Sequence, residues 1–193
     1  MLIDLIKANR SYRGYDHRRT VTKDELLHLV EAARLCPSSV NMQPLRYFLA
    51  CDPTTVATIQ AETKWAKGLP DLTLPHPGKE PTAFIVICQD TSIDANLSRF
   101  QRDVGIVAQT ILLTAVEMGL GGCMIGNFNA ESVHDALGLK EEIRPLLIVA
   151  IGKPDEEVIL TDVVDGKTGY YRDEQDRHYV PKRKLEDLVI EHD

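Results

Sequence analysis

Two short apolar runs limit what this chain can fold into. Residues 84–88 read Phe-Ile-Val-Ile-Cys and residues 146–151 read Leu-Leu-Ile-Val-Ala-Ile, with no polar side chain in either run. Each run has the length of a β-strand, and a strand that is apolar at every position is covered on both of its faces. The chain is therefore predicted to have a central sheet with a layer on each side.

The longest helical pattern extends from about residue 96 to residue 118. Its apolar side chains, between Val104 and Val116, recur almost all the way round the helix. A helix that is apolar on every side is buried, either in the core of its own subunit or under a partner subunit. The sequence leaves both alternatives open.

Capping signals place the shorter elements. Thr22 and Glu25 form a capping box for a helix that must end near Pro37, because proline disfavours a helical residue before it. The remaining predicted elements are an opening helix at residues 2–6, strands at 47–50 and 123–125, a helix started by Asp52 and Pro53, and a brief helix between Asn129 and Gly138.

Two segments carry little regular pattern. Residues 66–81 are rich in proline and glycine and are predicted to be a loop. From Gly152 onward the chain is a polar tail with one apolar cluster, Leu185, Leu188, Val189 and Ile190. We therefore predict one three-layer α/β domain over residues 1–193, with residues 153–193 a tail that docks on its own domain or on a partner.

The bulk composition excludes several classes of partner. The net charge of -7 argues against binding to nucleic acid or to an anionic membrane. The cysteines Cys36, Cys51, Cys88 and Cys123 form no CxxC pair, which is typical of reduced thiols. The N-terminus lacks the features of a signal peptide, and no apolar run is long enough to span a bilayer. These features predict a cytoplasmic protein.

Several common catalytic motifs are missing from the sequence. The 6 histidines are scattered without metal-ligand spacing, so no metal site is predicted. There is no GxSxG elbow and no Walker-type loop. The glycine cluster at residues 119–122 follows a helix and precedes a strand, which is the reverse of the order that a dinucleotide-binding fingerprint requires.

Three polar segments remain as candidates for a site. Basic residues lie near both ends of the chain: Arg10 and Arg13, with the hydroxyl of Ser11 between them, and then Lys182, Arg183 and Lys184. They are either solvated charge runs or parts of an anion site. Residues 37–44 place short hydroxyl and amide side chains between two prolines. This segment is either a helix stop followed by a turn or a binding loop for a ligand, such as a flavin, that brings its own reactivity.

Together these segments resemble the FMN-dependent nitroreductase family. Residues 10–15 are similar to its RRSxRxF opening, and residues 32–44 to its AxxAPSSxNxQPW loop. Residues 103–127 match its helix and the glycine-rich strand that follows, and residues 180–183 match its late PK element. The four matches keep the family's order and extend over almost the whole chain.

The resemblance implies the nitroreductase fold: a mixed central sheet flanked by helices, in an intertwined homodimer that binds FMN with both subunits. It assigns the phosphate and ribityl end of FMN to Arg10, Ser11, Lys182 and either Arg183 or Lys184. It places Arg13 at the N1/O2 edge of the flavin, where a positive charge stabilises the reduced ring. The buried long helix would then form much of the dimer interface.

The same resemblance also indicates which residues contact the ring of the flavin. Ser38, Ser39 and Asn41 would come from the opposite subunit, and the backbone of Gly126 and Asn127 would lie near the reactive N5. The matched motifs supply the other candidate cofactor-binding residues, which are Pro37, Gln43, Gln109 and Ile125.

Three departures from the family pattern stand out. Asn9 replaces the first of two arginines, which weakens the predicted phosphate clamp, and Leu45 replaces the tryptophan after Gln43-Pro44. Residues 65–81 are compact and unlike the family's better-known members, so the substrate pocket is not defined.

The implied function is a two-step transfer of hydride from NADH or NADPH through FMN to an electron-poor acceptor, such as a nitroaromatic, a quinone or a flavin. The flavin carries the chemistry, and no residue is assigned as a catalytic acid or base. The alternatives are a relative that fragments flavin or dehalogenates, an FMN-binding protein without turnover, and an α/β domain that binds no flavin.

Overall fold

The computed structural model describes residues 1–190, and the chain divides into two units by its internal contacts. The larger unit consists of Met1–Trp65 and Leu74–Asp155, and the smaller unit of Ala66–Thr73 and the chain from Glu156 onward. The predicted single-domain organisation over 1–193, with a docking tail from residue 153, stays a prediction. His192 lies outside the described residues.

Four strands form the sheet of the larger unit, in the order β1-β2-β4-β3. Their bounds are β1 (Leu45–Ala50), β2 (Ala83–Asp90), β3 (Gly121–Ile125) and β4 (Ile143–Gly152). The two apolar runs form the central strands β2 and β4, as predicted. The fold class is confirmed, but the strand pairs in this sheet are all antiparallel rather than mixed. Among the described residues of the larger unit, the one parallel pairing is the isolated bridge between Ser11 and Gly122.

Helices cover both faces of this sheet. On one face Ile85 of β2 packs with α2 (Lys23–Arg34) and α4 (Gln101–Glu117). On the other face Phe84 packs with α3 (Pro53–Glu62) and α5 (Ala130–Ala136). Neighbouring residues of a strand point to opposite faces, so one apolar strand supplies two cores. The predicted three layers are present, and α1 (Leu2–Ala8) contacts α4.

The capping signals hold in the structure. The Thr22 amide donates to Glu25 Oε2 at 2.8 Å, and Thr22 Oγ1 accepts from the Glu25 amide at 3.3 Å. Asp52 Oδ1 accepts from the Thr55 amide at 2.9 Å, and Asn129 Oδ1 caps α5. Gly138 follows α5 with a φ of 58°, which is the left-handed conformation expected after a helix.

Several element boundaries differ from the prediction: α1 extends to Ala8, β1 begins at Leu45 and β3 begins at Gly121. Helix α4 begins at Gln101 rather than near residue 96. The Asn96 side chain accepts from the Ser98 amide at 3.0 Å, and this local bond favours a turn over the first helical turn. Strand β4 begins at Ile143 and includes Pro145, which lies where the pairing with β2 shifts register.

The smaller unit contains a sheet that the sequence analysis did not predict. Its strands are β5 (Val158–Asp162), β6 (Tyr171–Arg172) and β7 (His178–Lys182), in the order β5-β7-β6. Pairing is parallel between β5 and β7 and antiparallel between β6 and β7. The apolar cluster predicted in the tail is exposed: Leu185, Leu188, Val189 and Ile190.

Among the described residues, no helix has both the length and the apolar character needed to cross a bilayer. None of the four cysteines is in a disulfide. Burial raises the pKa of the Cys88 thiol to about 12, so this thiol stays protonated and unreactive.

Candidate cofactor site

The loop between α2 and β1 has a strained backbone. Val40, Asn41 and Gln43 have positive φ angles of 49°, 54° and 51°. For a residue other than glycine this conformation costs roughly 1–3 kcal/mol, and for a β-branched residue such as Val40 it is a marked outlier. Strain of this kind persists where the surroundings impose it, and it clusters at functional sites. We call residues 38–43 the strained loop.

A buried carboxylate on α4 forms hydrogen bonds with the start of the strained loop. Asp103 is 4% exposed, and its Oδ2 accepts from the Ser38 hydroxyl at 2.7 Å and from the Ser39 amide at 2.9 Å. The Gln43 amide donates to Ser38 Oγ at 3.0 Å, which closes the loop. The sequence analysis placed Asp103 in a family motif but not in the site. The sequence feature that could have identified Asp103 is a carboxylate on the buried side of an apolar helix.

The strained loop presents its remaining polar groups to solvent. Ser39, Asn41 and Gln43 are exposed, and Gln43 Nε2 donates to Asn41 Oδ1 at 3.1 Å. Pro37, before the loop, is also exposed. The predicted binding residues of this segment are therefore brought together in one short stretch of chain.

The N-terminal basic segment lies beside the end of α1. Arg10 Nη2 donates to the Ile6 carbonyl at 2.8 Å, while its buried Nε has no hydrogen-bond partner in the described chain. Arg13 Nη1 donates to the Ser11 carbonyl at 3.2 Å. Because the Tyr12 amide donates to the Gly122 carbonyl at 3.1 Å, this segment is fixed along the edge of β3.

Asn9 has a structural partner. Its Nδ2 donates to Gln109 Oε1 at 3.3 Å, and Asn9 is 9% exposed. The residue that replaces the family arginine therefore ties the basic segment to α4. Gln109, predicted as a cofactor ligand, uses its amide oxygen in this bond.

The end of β3 offers open backbone. Ile125 is buried, whereas Gly126 and Asn127 are exposed. A Cβ atom placed on Gly126 would have no neighbour within 4 Å, and the Asn127 carbonyl accepts from the Lys64 amide at 2.9 Å. A flat ligand can therefore approach this backbone closely.

The predicted C-terminal basic residues belong to the smaller unit. Lys182 ends β7, and its carbonyl accepts from the Val163 amide at 3.0 Å. Arg183 and Lys184 follow in an exposed segment, and Lys184 Nζ lies 3.7 Å from Glu186.

A cavity of about 390 Å³ borders the strained loop and lies between α2 and β1. Its lining includes Cys36, Ser38, Tyr47 and Asp103. Burial, with a smaller contribution from the neighbouring Cys36, raises the pKa of Tyr47 to about 12. Tyr47 therefore keeps its proton at neutral pH and is unsuited to act as a base.

Comparison with known proteins identifies the family of this chain. A model of the nitroreductase family matches residues 6–153. The chain belongs to the nitroreductase family, and the resemblance found in its sequence is confirmed.

Individual relatives extend over most of the chain. YdgI of Bacillus subtilis, whose name places it provisionally among the NAD(P)H nitroreductases, is 26% identical over 186 residues, covering 80% of this chain and 89% of YdgI. An FMN-dependent nitroreductase from Clostridium difficile R20291 is 25% identical with a TM-score of 0.64, covering 80% of this chain and 88% of that one. A Staphylococcus epidermidis structure, 18% identical with a TM-score of 0.72, covers 100% of this chain and 96% of its own and shows the same fold.

Proposed function

We propose that this protein is an FMN-dependent oxidoreductase. It takes hydride from NADH or NADPH and reduces an electron-poor acceptor such as a nitroaromatic, a quinone or a flavin. The observation that carries the proposal is the strained loop, which has three residues at positive φ, exposed hydroxyl and amide groups, and hydrogen bonds to the buried Asp103. A simple turn after a helix does not need a buried carboxylate or three residues at positive φ.

The groups present suit FMN. Arg10 has a buried Nε without a partner in the described chain, and an arginine donor of this kind is suited to a phosphate oxygen. Ser11 and Arg13 follow directly and add a hydroxyl and a second guanidinium. The open backbone at Gly126 accepts a planar ring at close range. By the family pattern, Lys182 with Arg183 or Lys184 adds positive charge for the phosphate.

Bound FMN would supply the redox chemistry by accepting hydride and passing it on. The residues of the chain would bind and orient it: Arg13 offers positive charge to the ring edge, and Ser39 and Asn41 offer hydrogen bonds. No histidine is assigned a catalytic proton transfer. Reduction and oxidation would proceed in turn, with one substrate leaving before the other enters.

We further propose a homodimer. Helix α1 leaves Leu2, Ile3 and Ile6 exposed, and Ile106 is exposed on α4, the helix that α1 contacts. Exposed apolar side chains on two contacting helices are typical of an interface. A second copy would cover them and would supply its strained loop to the flavin of the first. The four cysteines without disulfides support the cytoplasm as the place of reaction.

Absorption spectroscopy tests the proposal. The purified protein should carry a yellow chromophore identified as FMN, and anaerobic NADH or NADPH should bleach it. Steady-state rates with a quinone or nitroaromatic acceptor should give parallel double-reciprocal lines. A colourless protein that binds no added FMN would refute the proposal, whereas stable colour without bleaching would favour an FMN carrier.

A further inference from the structure

The side chain of Asp103 is directed to the strained loop rather than to its own helix. It lies in the first turn of α4, where the positive end of the helix favours a negative charge. Both of its hydrogen bonds within the loop go to one oxygen, Oδ2, from the Ser38 hydroxyl and the Ser39 amide. A buried carboxylate that accepts two donors is a strong anchor, because hydrogen bonds to a charged group are stronger than neutral ones.

Ser38 and Ser39 differ in the hydrogen-bond donors that they have left for a ligand. The Ser38 hydroxyl has one proton, which it donates to Asp103, and its oxygen already accepts from the Gln43 amide. Ser38 therefore has no donor left for a ligand while it holds Asp103. The exposed side chain of Ser39 projects from a residue whose amide is anchored, so its hydroxyl is held in place.

We propose that Asp103 is a positioning residue that holds the strained loop in its positive-φ conformation, and that Ser38 transmits this hold rather than donating to the cofactor. Ser39, Asn41 and Gln43 are then the groups of the loop that contact a ligand. The part that concerns FMN rests on the proposed function. The anchoring itself does not, since it is a property of the chain without ligand.

The first arm of the test measures backbone hydrogen exchange in the protein without flavin. Asp103→Ala should speed the exchange of amides 39–43 by about tenfold or more, because the loop loses its anchor. Asp103→Asn keeps an acceptor oxygen and should fall between Asp103→Ala and wild type. Ser38→Ala is the milder second variant, and it should speed exchange in the same segment.

The matched control is Asp94→Ala. Asp94 is another carboxylate near the start of α4, and it accepts from the Asn96 amide at 2.8 Å and from Arg99 at 2.6 Å. It has no part in the strained loop, so this variant should leave the exchange of amides 39–43 unchanged.

The second arm is an FMN titration with kinetics at saturating FMN. Asp103→Ala and Ser38→Ala should each weaken FMN binding by about ten- to a hundredfold, the usual effect of losing a charge-assisted hydrogen bond. The two losses should be less than additive in the double variant, because both single variants remove the bond between Ser38 and Asp103. Ser39→Ala should weaken FMN binding without changing loop exchange, and kcat at saturating FMN should stay unchanged in the control Asp94→Ala.

Each outcome decides a separate claim. If wild type binds no FMN, the proposed function fails, while the exchange arm still tests the anchor. If loop exchange is the same in Asp103→Ala, Ser38→Ala and wild type, the positioning role is refuted. Faster exchange spread over the whole chain rather than residues 39–43 also refutes it, since Asp103 would then serve general stability only.

Discussion

The two units of the chain are stabilised by different side chains. In the larger unit, residues 83–88 of β2 are buried and apolar, and both faces of the strand are covered by helices. In the described part of the smaller unit, His178 is the only fully buried residue, and the neighbouring contacts are ion pairs and aromatic stacks. Apolar periodicity in a sequence therefore predicts the first kind of unit and misses the second.

The ion pairs of the smaller unit centre on one arginine. Arg172 pairs with Glu156, and only 4% and 6% of these side chains are exposed. Arg172 also lies 2.9 Å from Asp176. Next to this group, Tyr171 and Tyr179 stack with ring centroids 4.9 Å apart. None of these contacts has a repeating signature in the sequence.

The largest effect is expected at this buried ion pair. Arg172→Ala leaves the Glu156 carboxylate buried without its arginine, which should lower the stability of the smaller unit by about 3–5 kcal/mol. The matched control is Arg177→Ala, whose side chain is 43% exposed beside Asp173 and whose loss should cost about 0–1 kcal/mol. Hydrogen exchange of residues 158–182 measures both. Equal effects would show that burial of the pair is unimportant.

The apolar core of the larger unit gives the second prediction. Ile85 is fully buried in β2, and Ile85→Ala should lower the free energy of unfolding by about 2–5 kcal/mol. Leu160→Ala, in β5, removes a side chain that is 41% exposed, and it should change stability by only about 0.5 kcal/mol. Urea unfolding followed by circular dichroism compares the two. A comparable loss in Leu160→Ala would mean that the smaller unit also depends on apolar burial.

FMN affinity gives the third prediction. Arg13→Ala should weaken FMN binding about ten- to a hundredfold, because a charge-assisted contact to the flavin is lost. Lys182→Ala should do the same, since the family pattern assigns it to the phosphate. Arg18→Ala is the control, because its side chain is 88% exposed and pairs with Asp16. Fluorescence titration with FMN gives the affinities, and unchanged affinity in both Arg13→Ala and Lys182→Ala would remove these residues from the site.

The smallest effect is a pH dependence of the smaller unit. Burial alone would raise the pKa of Asp173, but hydrogen bonds from Arg177 and Tyr179 outweigh it and hold the pKa below its usual 3.8. A lowered folded pKa gives stability that is present above pH 3.8 and lost as pH falls through the folded value. Protection against hydrogen exchange around residues 173–179, corrected for the pH dependence of intrinsic exchange, should therefore fall below about pH 4 in wild type. Asp173→Asn should show no such step, and an identical step in that variant would contradict the assignment.

The sequence predicted the larger unit well because its signals are local or periodic. Each local pattern indicates one kind of element. The capping box at Thr22 and the cap at Asn129 indicate helix starts, and the apolar runs of β2 and β4 indicate buried strands. The predicted start of α4 was wrong because Asn96 forms a competing turn, and the periodicity of apolar residues does not detect such a turn. The antiparallel pairing of the sheet depends on how the strands connect, and that is set by tertiary packing.

Residues of the candidate site could be named from the sequence only where family motifs reach. These motifs gave the strained loop, the basic segment and the Gly126 backbone as expectations, with the same role for Ser38 and Ser39. The different roles that we propose for the two serines rest on the hydrogen bonds of Asp103, and its bond with Ser38 joins residues 65 positions apart in the chain. No spacing rule in a single sequence predicts a contact over that separation.

We propose that each flavin site combines Arg13 of one subunit with the strained loop of the other. A heterodimer purified by two different tags tests this arrangement, with Arg13→Ala in one chain and Asn41→Ala in its partner. One of its two sites would then carry both substitutions and the other neither, because each site takes one element from each chain. We expect about one tightly bound FMN per heterodimer, against about two for wild type and none for either variant homodimer. Two equally weakened sites in the heterodimer, with no tight binding, would contradict it, since each site would then be built from a single chain.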